Sequence, residues 1–317
     1  MNMKDKINNT FLGLAIGDAL GVPVEFESRE YLKENPVSDM IGYGTYNKPP
    51  RIWSDDSALS FCLAESLMNG YDLKDMCQKF VDWKEKAYWT ADNDVFDIGI
   101  TTRQALSRFK RGASPQNAGM NSEENNGNGS LMRISPLAFY LQNATLEEVV
   151  EKAGEVSSIT HAHVQSVFGC IIYVVFMQEL IKGKKKEAAL SSMRAKIQLV
   201  VHQTVEFEAM RATYFSVLVS DFKRMDENYI KSSGYIVHSL EAALWCFLTE
   251  SDYKTTVLKA VNLGEDTDTI AAIAGSMAGL YYGIDQIPEN WSAQLARRQD
   301  IEALANRFYQ SLKRKEQ

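Results

Sequence analysis

The sequence predicts an all-α protein, and three observations carry the prediction. Apolar residues recur at helical spacing in eight segments, no stretch alternates as a half-buried strand would, and only two long polar stretches interrupt the pattern. The segments are "ALSFCLAESLM" (58–68), "LKDMCQKFVDWKEKA" (73–87), "LEEVVEKAGEVSS" (146–158), "QSVFGCIIYVVFMQELI" (165–181), "VHSLEAALWCFL" (237–248), "YKTTVLKAVNL" (253–263), "IAAIAGSMAGLYYG" (270–283) and "SAQLARRQDIEALANRFYQSL" (292–312). The polar stretches, 27–52 and 112–130, are neither repetitive nor long enough for linkers, and unstructured loops of that length inside a domain are often functional. A single domain over residues 1–317 is expected.

Composition narrows the class. Of 317 residues, 45% are hydrophobic and 24% charged, a balance that supports a sizeable core. With 34 basic against 41 acidic residues the net charge is −7, so a nucleic-acid backbone is not expected as the main partner. The one basic run, "KGKKK" at 182–186, reads as a solvated helix end. Cys62, Cys77, Cys170 and Cys246 lie far apart without C-x-x-C spacing, which suggests neither a zinc site nor a disulfide framework. The first apolar stretch is interrupted by Asp18, unlike a secretory signal, and the longest apolar run, 167–177, is too short to span a bilayer. A soluble cytoplasmic protein is expected.

Two acidic clusters carry the chemistry. "WSDDSALS" sets Asp55 and Asp56 between Ser54 and Ser57 at a helix start, where either a cap or a ligand set would place them. "NLGEDTDTIAAIAGSMAGLYYG" sets Asp266, Asp268 and Thr269 at a second helix start. The small residues that follow, Ala271, Ala272, Ala274, Gly275, Ala278 and Gly279, would let that helix approach a neighbour closely. An EF-hand is excluded, because its sixth and twelfth loop positions are Ala271 and Met277. Were the clusters to meet, four carboxylates would need a counterion, and an all-oxygen donor set favours Mg²⁺ or Mn²⁺ over zinc. Four carboxylates suit two such ions, which in dinuclear sites lie about 3.5–4 Å apart.

In this set of motifs the chain resembles the ADP-ribosylglycohydrolase family. The resemblance rests on "GLAIGDALGVPVEF" (13–26), "SDDS" (54–57), "DIGITT" (97–102), "NGNGSLMR" (126–133), "THAH" (160–163), "GYIVHSLEAALW" (234–245) and "NLGEDTDT" (262–269), in the family's order. It implies a compact orthogonal helix bundle that binds two Mg²⁺ or Mn²⁺ ions and releases ADP-ribose from modified proteins or small molecules. It further implies that Ser54, Asp55, Asp56, Asp266, Asp268 and Thr269 hold the metals, with Ser54 standing where the family usually has Thr. Glu25 matches an acidic residue that acts on the attacking water.

Cleavage at C1 of a ribose develops oxocarbenium character, and carboxylates ordinarily activate water or protonate the leaving group. Asp97 is either a second acid, a contact to the distal ribose, or a cap for the helix after it. "NGNGSLMR" has the composition of a backbone anion site, and the resemblance directs it to a diphosphate through Asn128, Gly129, Ser130 and Met132. Gly99 and His161 join these as expected substrate contacts. Tyr235 is either an adenine or ribose platform or a core tyrosine. A silent, crystallin-like relative is the alternative function, although every expected ligand position keeps an oxygen. A prenyl-diphosphate synthase would need an acid at position 59, where Leu59 stands.

Overall fold

A computed structural model describes residues 1–315. Among them are seventeen α-helices, five 3₁₀ turns and no strand; the backbone pairs only at two isolated bridges. Eleven helices run ten residues or more: α1 (Met3–Gly21), α2 (Asp55–Leu67), α3 (Leu73–Lys86), α4 (Ile100–Lys110), α5 (Leu146–Ser158), α6 (Val164–Ile181), α7 (Lys186–Val201), α8 (Ile236–Thr249), α9 (Tyr253–Asn262), α10 (Thr267–Tyr282) and α11 (Arg298–Lys315). One continuous apolar cluster reaches from Ile7 in α1 to Leu312 in α11. The helix α6 is long and apolar enough to cross a membrane, yet 83% of it is buried among its neighbours.

The pair α1 and α10 organises the molecule. Gly13, Gly17 and Gly21 recur every fourth residue on α1, and Ala271, Gly275 and Gly279 do so on α10, so each helix presents a stripe with almost no side chain. The helices run antiparallel with their backbones touching: a Cβ on Gly17 would overlap the Ala271 carbonyl, and one on Gly275 the Gly13 carbonyl. The end of α1 therefore abuts the start of α10, where Gly21 lies against Thr267 and Asp268.

Because only backbone lies opposite, Gly17→Val has nowhere to go. We expect it to cost about 3 kcal/mol or more, at the upper end of overpacking effects. Gly154→Ala in α5, whose added carbon would meet only Val167 Cγ1 at 3.4 Å, should instead stabilise by about 0.5–1 kcal/mol. Urea melts of both variants check this.

The basic run is the solvated helix end that its composition predicts as far as Lys185, and departs from it at Lys186. Lys182 and Lys184 pair with the buried Glu179 at 3.3 and 2.6 Å. Lys186 is itself buried, donates to the Phe247 and Glu250 carbonyls, and lies over the rings of Phe247, Tyr281 and Tyr282. Its stem and ammonium are covered by rings that come from the far end of the chain. Burial lowers its pKa to about 8.

Candidate active site

The two acidic clusters meet. Asp55 and Asp56 occupy the first turn of α2, and Asp266 and Asp268 flank the start of α10. Thr269 Oγ1 reaches Asp56 Oδ2 at 3.3 Å across the gap. Capping is done by other groups. Ser54 is the N-cap of α2, and Asp18 of α1, fully buried, accepts from the Ser54 and Ser57 amides at 2.8 and 3.0 Å and from the Ser57 hydroxyl at 2.5 Å. Neither the Asp55 nor the Asp56 side chain takes an amide hydrogen bond among the described residues. Asp18, read in the sequence only as a break in an apolar run, releases them from that task.

Glu25 stands in the turn after α1, on the same cavity. The Phe26 amide donates to the Glu265 carbonyl at 2.7 Å and the Glu265 amide to the Glu27 carbonyl at 2.8 Å, so the Glu25 turn is laced to the residue before Asp266. Phe26 and Glu265 both sit at positive φ, 68° and 60°, which costs a non-glycine residue free energy and recurs at functional sites.

Asp97 arrives on a third segment, also at positive φ, 53°. It does not cap α4, whose N-cap is Gly99; it accepts from the Tyr46 hydroxyl at 2.7 Å instead. Tyr46 belongs to a strap, residues 43–48, tied on both sides. Thr45 bonds the Pro23 and Glu25 carbonyls, Lys48 pairs with Asp92 and Asp94 at 2.8 and 2.7 Å, and the Tyr46 ring packs on Phe96 with centroids 5.0 Å apart. Tyr46 carries no periodic or spacing signal; only the fold shows it beside the carboxylates.

A cavity of about 270 Å³ joins these groups. Glu25, Asp55, Asp56, Asp97, Asp266 and Thr269 line one side, and Gly99, Asn128, Gly129, Met132 and His161 line the other. Gly129 is required there, since a Cβ would stand 2.9 Å from His161 Cε1. Asn128 links the two walls, its amide donating to Asp266 Oδ2 at 2.7 Å and to Ser239 Oγ at 2.8 Å. Behind the loop the buried Arg133 donates to the Gly129 and Val156 carbonyls at 2.5 and 3.2 Å.

Ser130 and Tyr235 are not on the cavity wall. The Ser130 hydroxyl is buried and accepts from Ser157 at 3.0 Å, and the Tyr235 hydroxyl donates to Gln165 at 2.8 Å. Ser54 is likewise turned to the helix, its oxygen accepting from the Asp56 amide at 3.3 Å.

Electrostatically the pocket is in debt for positive charge. Burial foremost, then the charges of Asp97 and Asp266, push Glu25 up to about 9. Asp266 rises to about 6 despite its bond from Asn128, and Asp55, Asp56 and Asp268 are driven well above the carboxylate range, in each case chiefly by burial. Asp97 is raised for the same reason. Burial also takes His161 down to about 3, so its ring is neutral.

Four buried oxygens, Glu25 Oε2, Asp56 Oδ1, Asp266 Oδ1 and Asp268 Oδ2, have no hydrogen-bond partner. Buried polar atoms are normally satisfied, and orphaned carboxylate oxygens on one cavity fit a cation. Two triads bring oxygens within 4.8 Å of one another: Glu25, Asp97 and Asp268, and Asp55, Asp56 and Asp97.

An all-α bundle that gathers five carboxylates on a small cavity, beside a glycine-rich backbone loop, fits one class, the metal-dependent hydrolases. The particular family follows from comparison with known sequences. The family model for ADP-ribosylglycohydrolase matches residues 1–317, and the chain belongs to that family. It is 32% identical over 310 residues to an ADP-ribosylarginine hydrolase, Tri1, of Serratia proteamaculans, covering 96% of this chain and 79% of that one. It is 30% identical over 301 residues to the ADP-ribosyl-[dinitrogen reductase] glycohydrolase of Rhodospirillum rubrum, covering 93% and 91%. A solved ADP-ribosylglycohydrolase-related protein complex matches with a TM-score of 0.80 and 32% identity, covering 98% of this chain and 99% of that one.

Proposed function

We propose that this enzyme cleaves the bond between C1 of ADP-ribose and a guanidine nitrogen of a modified arginine, releasing ADP-ribose from a protein or a small molecule. The observation that carries the reading is the cavity itself, which five carboxylates and the Gly127–Gly129 loop line together. The arginine acceptor is supported by the activity named for the Serratia relative. Four free and buried cysteines support a cytoplasmic setting.

The four orphaned oxygens suit two Mg²⁺ or Mn²⁺ ions, with Asp55, Asp56, Asp266, Asp268 and Thr269 as donors and Ser54 beside them. Bound there, the ions would supply positive charge to grip ribose hydroxyls and acidify a water. Glu25 takes a proton as water attacks, its buried Oε2 standing on the cavity with no other hydrogen-bond partner among the described residues. Tyr46, whose phenol stays protonated, donates to Asp97 and fixes that carboxylate beside Glu25. The amides of Gly127 and Gly129 and neutral His161 receive the diphosphate, which needs N–H donors more than a full positive charge; the Asn128 amide is held by the Gly234 carbonyl.

The test is a panel of ADP-ribosylated acceptors, with arginine, serine and a nucleic-acid end represented, incubated with Mg²⁺ or Mn²⁺. Released ADP-ribose is weighed by mass spectrometry. Release from the arginine conjugate is the expected result. Release confined to another linkage would remove the acceptor assignment, and release from none would remove the enzyme.

A further inference from the structure

Beside the active site lies a second cavity, of about 430 Å³, that the reaction does not use. It is lined by Arg103, Gln104, Ser107, Arg108, Arg111 and Met120. All but Met120 belong to α4 and its C-cap, Arg111; the first turn of that helix lines the catalytic cavity, so Thr102 faces one cavity and Arg103 the other. Met120 closes the contact from the other side, its amide bonding the Thr160 carbonyl at 2.9 Å and its carbonyl the Ala162 amide at 2.8 Å, flanking His161.

The charge of this groove is uncompensated. No carboxylate lines it, and neither Arg103 nor Arg111 has an ion pair among the described residues, whereas the adjacent Lys110 is paired with Glu85 at 2.5 Å. Arg108 is partly tied, donating to the Gly119 carbonyl at 3.3 Å. Three arginines thus line one groove on a protein whose net charge is −7. Arginine forks match carboxylates and phosphates.

Size decides what the groove takes. Arg103 in the first turn of α4 and Arg111 at its C-cap are eight residues apart, about 12 Å along the helix axis. That is several times the width of one phosphate or carboxylate, and corresponds to about four residues of extended chain. A nucleic-acid strand would carry its charge past the groove onto a protein of net charge −7, whereas a short acidic segment confines its charge to the arginines. We propose that the arginine face of α4 is a docking surface for an acidic segment of the ADP-ribosylated protein, holding the acceptor while its modified side chain occupies the neighbouring cavity. This rests on the proposed hydrolysis of protein conjugates.

The experiment compares two synthetic peptides, each with one ADP-ribosylarginine, flanked by glutamates in one and glutamines in the other, with free ADP-ribosylarginine as a third substrate. At low ionic strength the wild-type enzyme should prefer the glutamate peptide by about tenfold in kcat/KM, the scale of a few exposed ion pairs. That preference should fade at about 0.5 M salt, where screening shortens the reach of exposed charges to a few ångströms. R103E/R111E should lose it while its rate on free ADP-ribosylarginine stays within about twofold of wild type. R103Q/R111Q serves as the milder variant, and a thermal melt of each confirms folding.

No preference in the wild type, or one that survives in both variants, overturns the docking surface. So does an equal loss on all three substrates, which would place the arginines on the shared ADP-ribose half. Stronger competition by a single-stranded oligonucleotide of equal charge would assign the groove to nucleic acid and overturn it too. If the wild type releases ADP-ribose from none of the three, the proposed reaction itself falls, and the docking surface with it.

Discussion

Glu25→Gln is expected to lower kcat by about 10²-fold or more, the range for a lost general acid–base group, while ADP-ribose still binds. The replacement keeps the shape of a side chain that is 5% exposed and removes only its capacity to exchange a proton. Its main-chain surroundings should survive, because the turn is held by backbone bonds between Phe26, Glu27 and Glu265 and by Thr45 on the Glu25 carbonyl. The measurement is single-turnover release of ADP-ribose beside calorimetric binding of the product. Near-normal turnover would leave Glu25 without a chemical role; lost binding would make it a structural prop.

The second large effect concerns metal. With chelator we expect no turnover, and Asp55→Asn should separate ligation from capping in thermal melts. Since Ser54 and Asp18 satisfy the start of α2, removing the Asp55 charge leaves the helix capped and relieves repulsion from Asp97 and Asp56. Metal-free Asp55→Asn should therefore be as stable as wild type or more so, yet gain less from Mg²⁺ or Mn²⁺, because a ligand stabilises the native state only as far as it binds it. A cap would instead cost about 0.5–2 kcal/mol on replacement by Ala, with or without metal. Equal metal-induced shifts in wild type and variants would return "SDDS" to capping alone.

The same carboxylates set a pH trend. Their pKa values are raised in the fold, to about 7 for Asp18, about 6 for Asp266 and about 9 for Glu25, whereas the unfolded chain ionises them near pH 4. Folded protein therefore binds more protons than unfolded protein across this window, and linkage makes metal-free stability fall as pH rises from about 4 toward 9. The metal-free melting temperature should be lower at pH 8 than at pH 5.

Much of this was legible in the sequence because it is local. Helical periodicity marks α2, α3, α5, α6 and α8 to α11, and "SDDS" and "EDTDT" announce helix starts rich in acid. The small residues of α10 foretold a close neighbour, though not that α1 would be the one. What escaped depends on contacts distant in the chain. Asp18 meets Ser54 and Ser57 from 36 and 39 positions away, and Tyr46 meets Asp97 from 51. Lys186 was misread for the same reason, since the rings that cover it lie near position 247 and at 281–282. Composition describes a residue's own preference for water, and these side chains are governed by what the fold brings to them.

The contact of α1 with α10 divides the pocket by permanence. Asp266 and Asp268 stand at the end of a helix whose backbone lies directly on its partner, with no side chains between that could repack, so these two part from Gly21 only when the core itself comes apart. Glu25 and Asp97 ride on turns braced by a few hydrogen bonds and surface ion pairs, the kind of segment that opens locally at small free energy. One part of the site thus endures as long as the fold, and the other rests on the bonds of its own turns.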